Sequence, residues 1–255
     1  MRIAVAGGTG TLGREVAGEL RSRGHQVRVL SRRSEEYPVD LTTGAGLAGA
    51  LDGCQAVVDA SNASSARRAR ETLVEGTRRL LAAGAEAGVG HHVCVSIVGC
   101  DRVPLGYYRI KTEQERVVRE GGVPWSIVRA TQFHELAAGV LDAAGRRRLL
   151  PVPRALLQTV AAAEAARAVA GVAEGTPLNG RTEVAGPQIT EARELAAAWQ
   201  AVTGRRALRV PLPLPGALGR VLRAGGLTTD RPDVRGEQTF REWLAARQRA
   251  RPDGH

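Results

Sequence analysis

The first 130 residues of this chain alternate between two hydrophobic rhythms. Short apolar runs recur: RIAVAG, HQVRVLS, QAVVDAS, HHVCVSIVG and PWSIVRA. Runs of that length and composition read as buried strands. Between them apolar residues return every three or four positions. Leu12, Val16 and Leu20 share one face of a helix that Gly24 ends. TGAGLAGALDG reads as a short helix, residues 64–88 as a long one and YYRIKTEQERVVREGG as another. Strands separated by helices imply βαβ units, a parallel sheet covered on both faces, and a doubly wound α/β fold. Such sheets take ligands at the carboxyl ends of their strands.

Beyond residue 130 the rhythm weakens. TQFHELAAGVLDAAG is helical, and the stretch from Arg146 to Gly175 mixes extended and helical character. PLNGRTEVAGPQ reads as turn and strand, TEARELAAAWQAVTG as a helix with an imperfect capping box at Thr190, and RVPLPLPG as extended. No internal repeat is present, and the polar tail after Arg247 reads as frayed. The expected organisation is a doubly wound core over residues 1–150. A small C-terminal α/β subdomain for substrate, residues 151–255, is partly interleaved with it.

VAGGTGTLG joins the first strand to the first helix. It fits Gly7-x-x-Gly10-x-x-Gly13 and also Gly8-x-Gly10-x-x-Gly13. Glycines there permit a tight turn and close backbone approach to a pyrophosphate, which rests on the free N–H groups of the helix. The core is therefore expected to be a dinucleotide-binding Rossmann fold. The second strand ends VLSRR, with no carboxylate for a ribose 2′-hydroxyl. Arg32 and Arg33 stand there instead, suited to a 2′-phosphate, so the expected cofactor is NADP(H).

Composition adds constraints. Hydrophobic residues make up 43%, enough for a sizeable core, and aromatics only 3%. The 36 basic residues outnumber 26 acidic ones, giving a net charge of +10. Arginine supplies all but one of them, which reads as the drift of a GC-rich genome over a solvated surface. No nucleic-acid-binding module is present, so no specific nucleic-acid partner is expected. Cys54, Cys94 and Cys100 are odd in number and lack a C-x-x-C spacing, so neither disulfides nor a thiolate metal site is expected. No histidine, cysteine and carboxylate set has metal-ligand spacing, and no G-x-S-x-G supports serine hydrolysis. The start lacks the apolar core of a secretion signal, and no run of about 18 apolar residues exists. A cytoplasmic protein without a membrane partner, monomer or homodimer, is the expectation.

The single lysine, Lys111, follows Tyr107 by four residues, which places both on one helix face. A phenol of ordinary pKa near 10 is a poor acid–base group at neutral pH. A nearby ammonium stabilises the phenolate, and a tenfold gain in acidity takes about 1.4 kcal/mol of such stabilisation. A wide planar guanidinium fits such a position less well.

With these features in place, the chain resembles the short-chain dehydrogenase/reductase superfamily, and within it the atypical NmrA-like NAD(P)-binding branch. GGTGTLG, VDL at 39–41, VSIVGCDRVPLGYYRIKTEQE, VPWSIVRATQF, AGP at 185–187 and TFREWL at 239–244 carry the likeness over nearly the whole chain. The resemblance implies that Gly7, Thr9, Gly10, Thr11 and Leu12 line the pyrophosphate, and that Arg32 and Arg33 meet the 2′-phosphate. It puts Asp40 and Leu41 beside the adenine, and Ala60, Ser61 and Asn62 along the cofactor's middle. Ser96 and Ile97 would lie near the nicotinamide ribose, with Ala130, Gln132 and Phe133 over the nicotinamide. Tyr107 matches the general acid/base, Lys111 the lysine that holds the ribose hydroxyls and lowers the tyrosine pKa, and Ser96 the carbonyl-orienting serine. Tyr108 and His134 are candidate substrate contacts, His134 alternatively a structural histidine.

The apolar, proline-bearing stretches 149–157 and 211–227 would wall the substrate or pack the subdomain core. The implied activity is NADPH-dependent reduction of a ketone, enone or quinone-like small molecule, such as a secondary-metabolite intermediate. A non-catalytic NADP(H) sensor, or a non-redox epimerase, dehydratase or cyclase, are the alternatives.

Overall fold

A computed structural model describes residues 1–63 and 66–250. The chain opens with β1 (Arg2–Ala6), α1 (Thr11–Ser22), β2 (Gln26–Leu30), α2 (Leu47–Leu51) and β3 (Ala56–Asp59). The long helix expected over 64–88 is α3 (Ala66–Arg70), a π-helical turn (Glu71–Glu75) and α4 (Gly76–Glu86); its first two expected residues lie outside the described ones. Then follow β4 (His91–Ile97), α5 (Gly106–Glu120), β5 (Trp125–Ala130), α6 (His134–Gly145), β6 (Leu149–Pro153), β7 (Leu156–Leu157) and α7 (Ala162–Glu174). β8 (Gly180–Ala185), β9 (Thr190–Glu191), α8 (Ala192–Thr203), β10 (Leu208–Leu212), α9 (Gly216–Arg223), β11 (Val234–Arg235) and α10 (Phe240–Arg249) complete it.

Seven strands form one parallel sheet in the order β11-β8-β5-β4-β3-β1-β2. The order reverses beside β1, which opens the crevice at the carboxyl ends of β1 and β3. Alternation along each strand sends side chains to opposite faces. Ile3, Val5, Val58, Val93, Val95 and Val128 pack on one face with α1 and α7. Ala4, Ala6, Val57, Cys94 and Ile127 pack on the other with Val74 and Leu80 of the π turn and α4, and Val117 and Val118 of α5. A third core joins Leu150 of β6, Trp199 of α8 and Leu244 of α10.

Residue 150 is not a cut between two bodies. β8 pairs with β5 from Ser126 to Ala130, β11 adds beyond it, and α7 covers the sheet. α6, β6, α8 and α10 pack around the third core, with β10 paired to β6. The capping box of α8 is complete, with Glu191 rather than Thr190 at its start and Glu194 reaching back.

Candidate functional site

The glycine loop is built by close backbone contacts that no side chain could share. Gly7 has φ +70°, and a Cβ on it would sit 2.7 Å from the Ala60 carbonyl oxygen and 2.8 Å from Ser61 Cα. A Cβ on Gly13 would come within 2.2 Å of the Gly7 oxygen. The Gly7 amide donates to Leu30 O at 3.0 Å, and that of Gly10 to Gly7 O at 2.9 Å, folding the loop over the sheet end. α1 starts without a side-chain cap, which leaves its first amides open toward the crevice. The Ser61 hydroxyl is buried against this loop with no hydrogen-bond partner among the described residues. A glycine cradle, open helix amides and an orphaned hydroxyl fit a dinucleotide pyrophosphate and its neighbouring ribose.

Arg32 and Arg33 form an exposed turn after β2, and neither guanidinium bonds to another described residue. The Asp40 carboxylate accepts from the Thr42 amide at 2.9 Å and the Thr42 hydroxyl at 2.7 Å. Those bonds, with Arg32 and Arg79 nearby, hold it below the usual carboxylate range. Leu41 is half-buried, and its carbonyl accepts from Arg79. Thr9 and Thr11 are exposed at the loop. Leu12 is buried in the core, so only its backbone faces the crevice.

At the other end of the crevice the Tyr107 hydroxyl donates to Asn62 Oδ1 at 2.8 Å, joining the start of α5 to the end of β3. The same oxygen accepts from the Ala63 amide at 2.7 Å. Tyr107 and Tyr108 meet edge to face, ring centres 5.9 Å apart. Burial pushes both phenols above their ordinary pKa. Ile97 and Phe133, at the carboxyl ends of β4 and β5, are half-buried. Gln132 donates to Leu227 O at 3.3 Å, while its Oε1 is buried without a partner among the described residues. Residues 225–229 close this side. Leu227 meets Gln132, Arg102 donates to Thr228 O, and the Thr229 amide donates to Gln158.

Four expected site residues stand elsewhere. Lys111 is 4% exposed, and its ammonium donates to Val95 O at 2.7 Å and Gln114 Oε1 at 2.6 Å. Gln114 in turn donates to Asp59 Oδ2 at 3.1 Å, which also accepts from the Thr77 hydroxyl at 2.8 Å. Lys111 is thus the buried cation answering the buried Asp59 across Gln114. It does not lower the Tyr107 pKa, which burial raises instead. Ser96 is 2% exposed and points beneath α5, its hydroxyl 3.8 Å from Cys100 Sγ, so it does not face a carbonyl in the crevice. His134 is fully buried, bonded to Thr159 Oγ1 at 2.9 Å and Gln238 O at 3.0 Å. It packs on Phe240 and Trp243, and burial lowers its pKa. It is a structural histidine rather than a substrate contact. The Ala130 side chain lies within the core.

A charged cluster beside the site went unread in the sequence. Arg129 of β5 makes a bidentate pair with Glu115, both contacts 2.8 Å, and reaches Asp101 at 3.2 Å. Burial alone would raise the Glu115 carboxyl, but Arg129 holds it below its ordinary range. Arg129 and Asp101 border a polar cavity of about 360 Å³ lined also by Arg102, Glu183, Thr228 and Asp230. The signal was an arginine inside the apolar strand WSIVRA.

A family model described as NAD(P)H-binding matches residues 7–168, from the glycine loop into α7. The chain belongs to that family. The match agrees with the NAD(P)-binding branch that its motifs resemble. It is 36% identical over 221 residues to a (4-alkanoyl-5-oxo-2,5-dihydrofuran-3-yl)methyl phosphate reductase of Streptomyces griseus, covering 80% of this chain and 74% of the relative. Two solved structures share the fold. The NADPH-dependent quinone oxidoreductase QOR2 of Escherichia coli, with NADPH bound, superposes with a TM-score of 0.80 at 20% identity, over 96% of this chain and 99% of that one. A short-chain dehydrogenase/reductase superfamily protein from Agrobacterium tumefaciens, with NAD bound, gives 0.77 at 21% over 98% of both chains.

Proposed function

We propose that this protein is an NADPH-dependent reductase of a small conjugated carbonyl compound, an enone or quinone-like molecule of secondary metabolism. The observation that carries the reading is the Tyr107 hydroxyl, fixed on Asn62 at the carboxyl end of the sheet. The named substrate of the Streptomyces relative, an unsaturated oxo-dihydrofuran bearing an alkanoyl group, supports the enone class. NADPH, when bound, supplies the hydride. Arg32 and Arg33 are the residues for its 2′-phosphate, and Gly7, Gly10 and the α1 amides for its pyrophosphate. Because burial raises the Tyr107 pKa, the phenol stays protonated at neutral pH and acts as a proton donor. It delivers that proton to the substrate oxygen as negative charge develops there. Asn62 Oδ1 holds the phenol at the crevice mouth, and the substrate oxygen would replace it as acceptor of that O–H.

The withdrawal of Lys111 from Tyr107 favours a second reading, a non-catalytic NADP(H) sensor. One experiment separates them: NADPH oxidation measured against unsaturated lactones, quinones and aromatic ketones. The reductase reading expects turnover that falls ~10²–10⁴-fold in Tyr107→Phe with unchanged NADPH affinity. It also expects a preference for NADPH over NADH that shrinks when Arg32 and Arg33 become Ala. Tight NADPH binding without oxidation of any panel compound would establish the sensor instead.

A further inference from the structure

The excess positive charge is not spread over the surface. Residues 143–163 and 195–229 hold nine arginines and no Asp, Glu or Lys. The rest of the chain then has 27 basic residues against 26 acidic ones. Nearly the whole net charge of +10 therefore sits on two segments. The fold brings them together as the parallel ribbon of β6 and β10. The Leu208 amide donates to Arg148 O at 2.9 Å, so the runs Arg146–Arg148 and Arg205–Arg206 meet at one end of it. These five arginines and Arg209 are exposed, and none of their side chains bonds to another described residue.

Beside this cationic end lies an apolar face. The register sets Leu149 beside Leu208, Pro151 beside Val210 and Pro153 beside Leu212, all on one side of the ribbon. Leu149 is 51% exposed, Leu208 67%, Val210 40% and Leu212 43%. The opposite side, Leu150 and Val152, packs against the third core. The ribbon's edges are poor templates for another strand. Since the Leu208 amide faces β6, Arg209 and Pro211 face outward, and by the same alternation so do Pro151 and Pro153 on β6. The prolines have no N–H to offer. The face, not the edge, is what the ribbon presents.

We propose that this ribbon docks the protein on an anionic phospholipid surface, with Leu149, Leu208, Val210 and Leu212 entering the headgroup boundary and the arginines meeting lipid phosphates. Charge complementarity selects an anionic partner, and exposed aliphatic side chains beside unpaired arginines select an interface that is apolar below and anionic above. Nucleic acid is the poorer fit. The only aromatic residue in the two segments, Trp199, is fully buried, so no stacking platform exists there. The expectation that the protein has no membrane partner is revised accordingly; attachment is peripheral, since no described helix is long and apolar enough to cross a bilayer.

Co-sedimentation with phosphatidylcholine vesicles, with and without about 30% phosphatidylglycerol, tests this. Binding is expected only to the anionic vesicles, and to fall as salt rises. The triple variant Arg146→Glu, Arg147→Glu, Arg148→Glu should weaken it at least about tenfold. Leu208→Asn with Val210→Asn should weaken it too, at unchanged charge. Both alter exposed side chains, and unchanged thermal melting verifies their folding. Equal binding to neutral vesicles, or none to anionic ones, overturns the proposal. So does tighter binding to duplex DNA or polyglutamate that the apolar variant leaves untouched.

Discussion

Tyr107 and Lys111 share a helix face, yet they do different work. Four residues advance a helix by about 6 Å, enough to carry a side chain from the mouth of a crevice into the layer beneath it. Tyr107 stays at the mouth with Asn62, while Lys111 is swallowed between α5 and the sheet. Its compact ammonium fits between Val95 O and Gln114, which gives a structural reason for lysine in an arginine-rich chain. Lys111→Met leaves Asp59 without its cation, and removing one partner of a buried charge set costs about 3–5 kcal/mol. A large loss of thermal stability is expected, and Lys111→Arg should restore little of it. Asn62→Ala should instead leave melting near the parent value and lower kcat more than KM. The reverse pattern, a stable Lys111→Met with crippled turnover, would return Lys111 to the chemistry. Spacing made the pair legible. Depth was not legible, because nothing in four-residue spacing says how far the sheet rises beside the helix.

At the level of elements, β4 shows what an apolar run conceals. HHVCVSI was readable as a buried strand, and within it burial pushes the Cys94 thiol well up. His91 and His92 at its start carry a cost that an apolar run does not show. His92 is 1% exposed, its Nε2 has no partner among the described residues, and burial pushes its pKa down to about 4. His91, bonded to Ser126 Oγ at 2.8 Å, is lowered as well. The unfolded chain takes up a proton on His92 near pH 6.5, whereas the folded chain does so only near pH 4. Stability is therefore full above pH 6.5 and falls as pH drops toward 4. His92 alone contributes a loss of about 3 kcal/mol. Denaturant melts at about pH 7.5 and about pH 4.5 should show it, and His92→Leu should flatten the slope between them. An unchanged slope in that variant would assign the acid sensitivity elsewhere. By contrast, the glycine loop was wholly legible, since its function needs residue types that only one backbone shape explains.

The whole molecule is held by strands and helices that return from late in the sequence. Short apolar runs exposed the first five strands of the sheet, and the turn and strand read in PLNGRTEVAGPQ is β8, but the two-residue β11 hid in a polar stretch. The division expected at residues 150 and 151 was drawn as partly interleaved, and β6 runs across it from Leu149 to Pro153. Without residues 151–255, β5 would lose its pairing with β8 along Ser126 to Ala130. The face bearing Val93, Val95 and Val128 would lose Val160, Ala165, Ala166, Val169, Ala170 and Ala173 from above it. Exposing that face removes burial worth roughly 25 cal/mol per Å² from a fold whose net stability is only about 5–15 kcal/mol. A fragment of residues 1–150 should accordingly retain helix by far-ultraviolet circular dichroism but lack a cooperative melt and a fixed near-ultraviolet signal. Co-expression with residues 151–255 should restore both, because the missing strand and helix would come back as a unit. A fragment that melts cooperatively by itself would show that the nucleotide-binding half closes its own core, and that α7 and β8 add to a finished sheet rather than complete it.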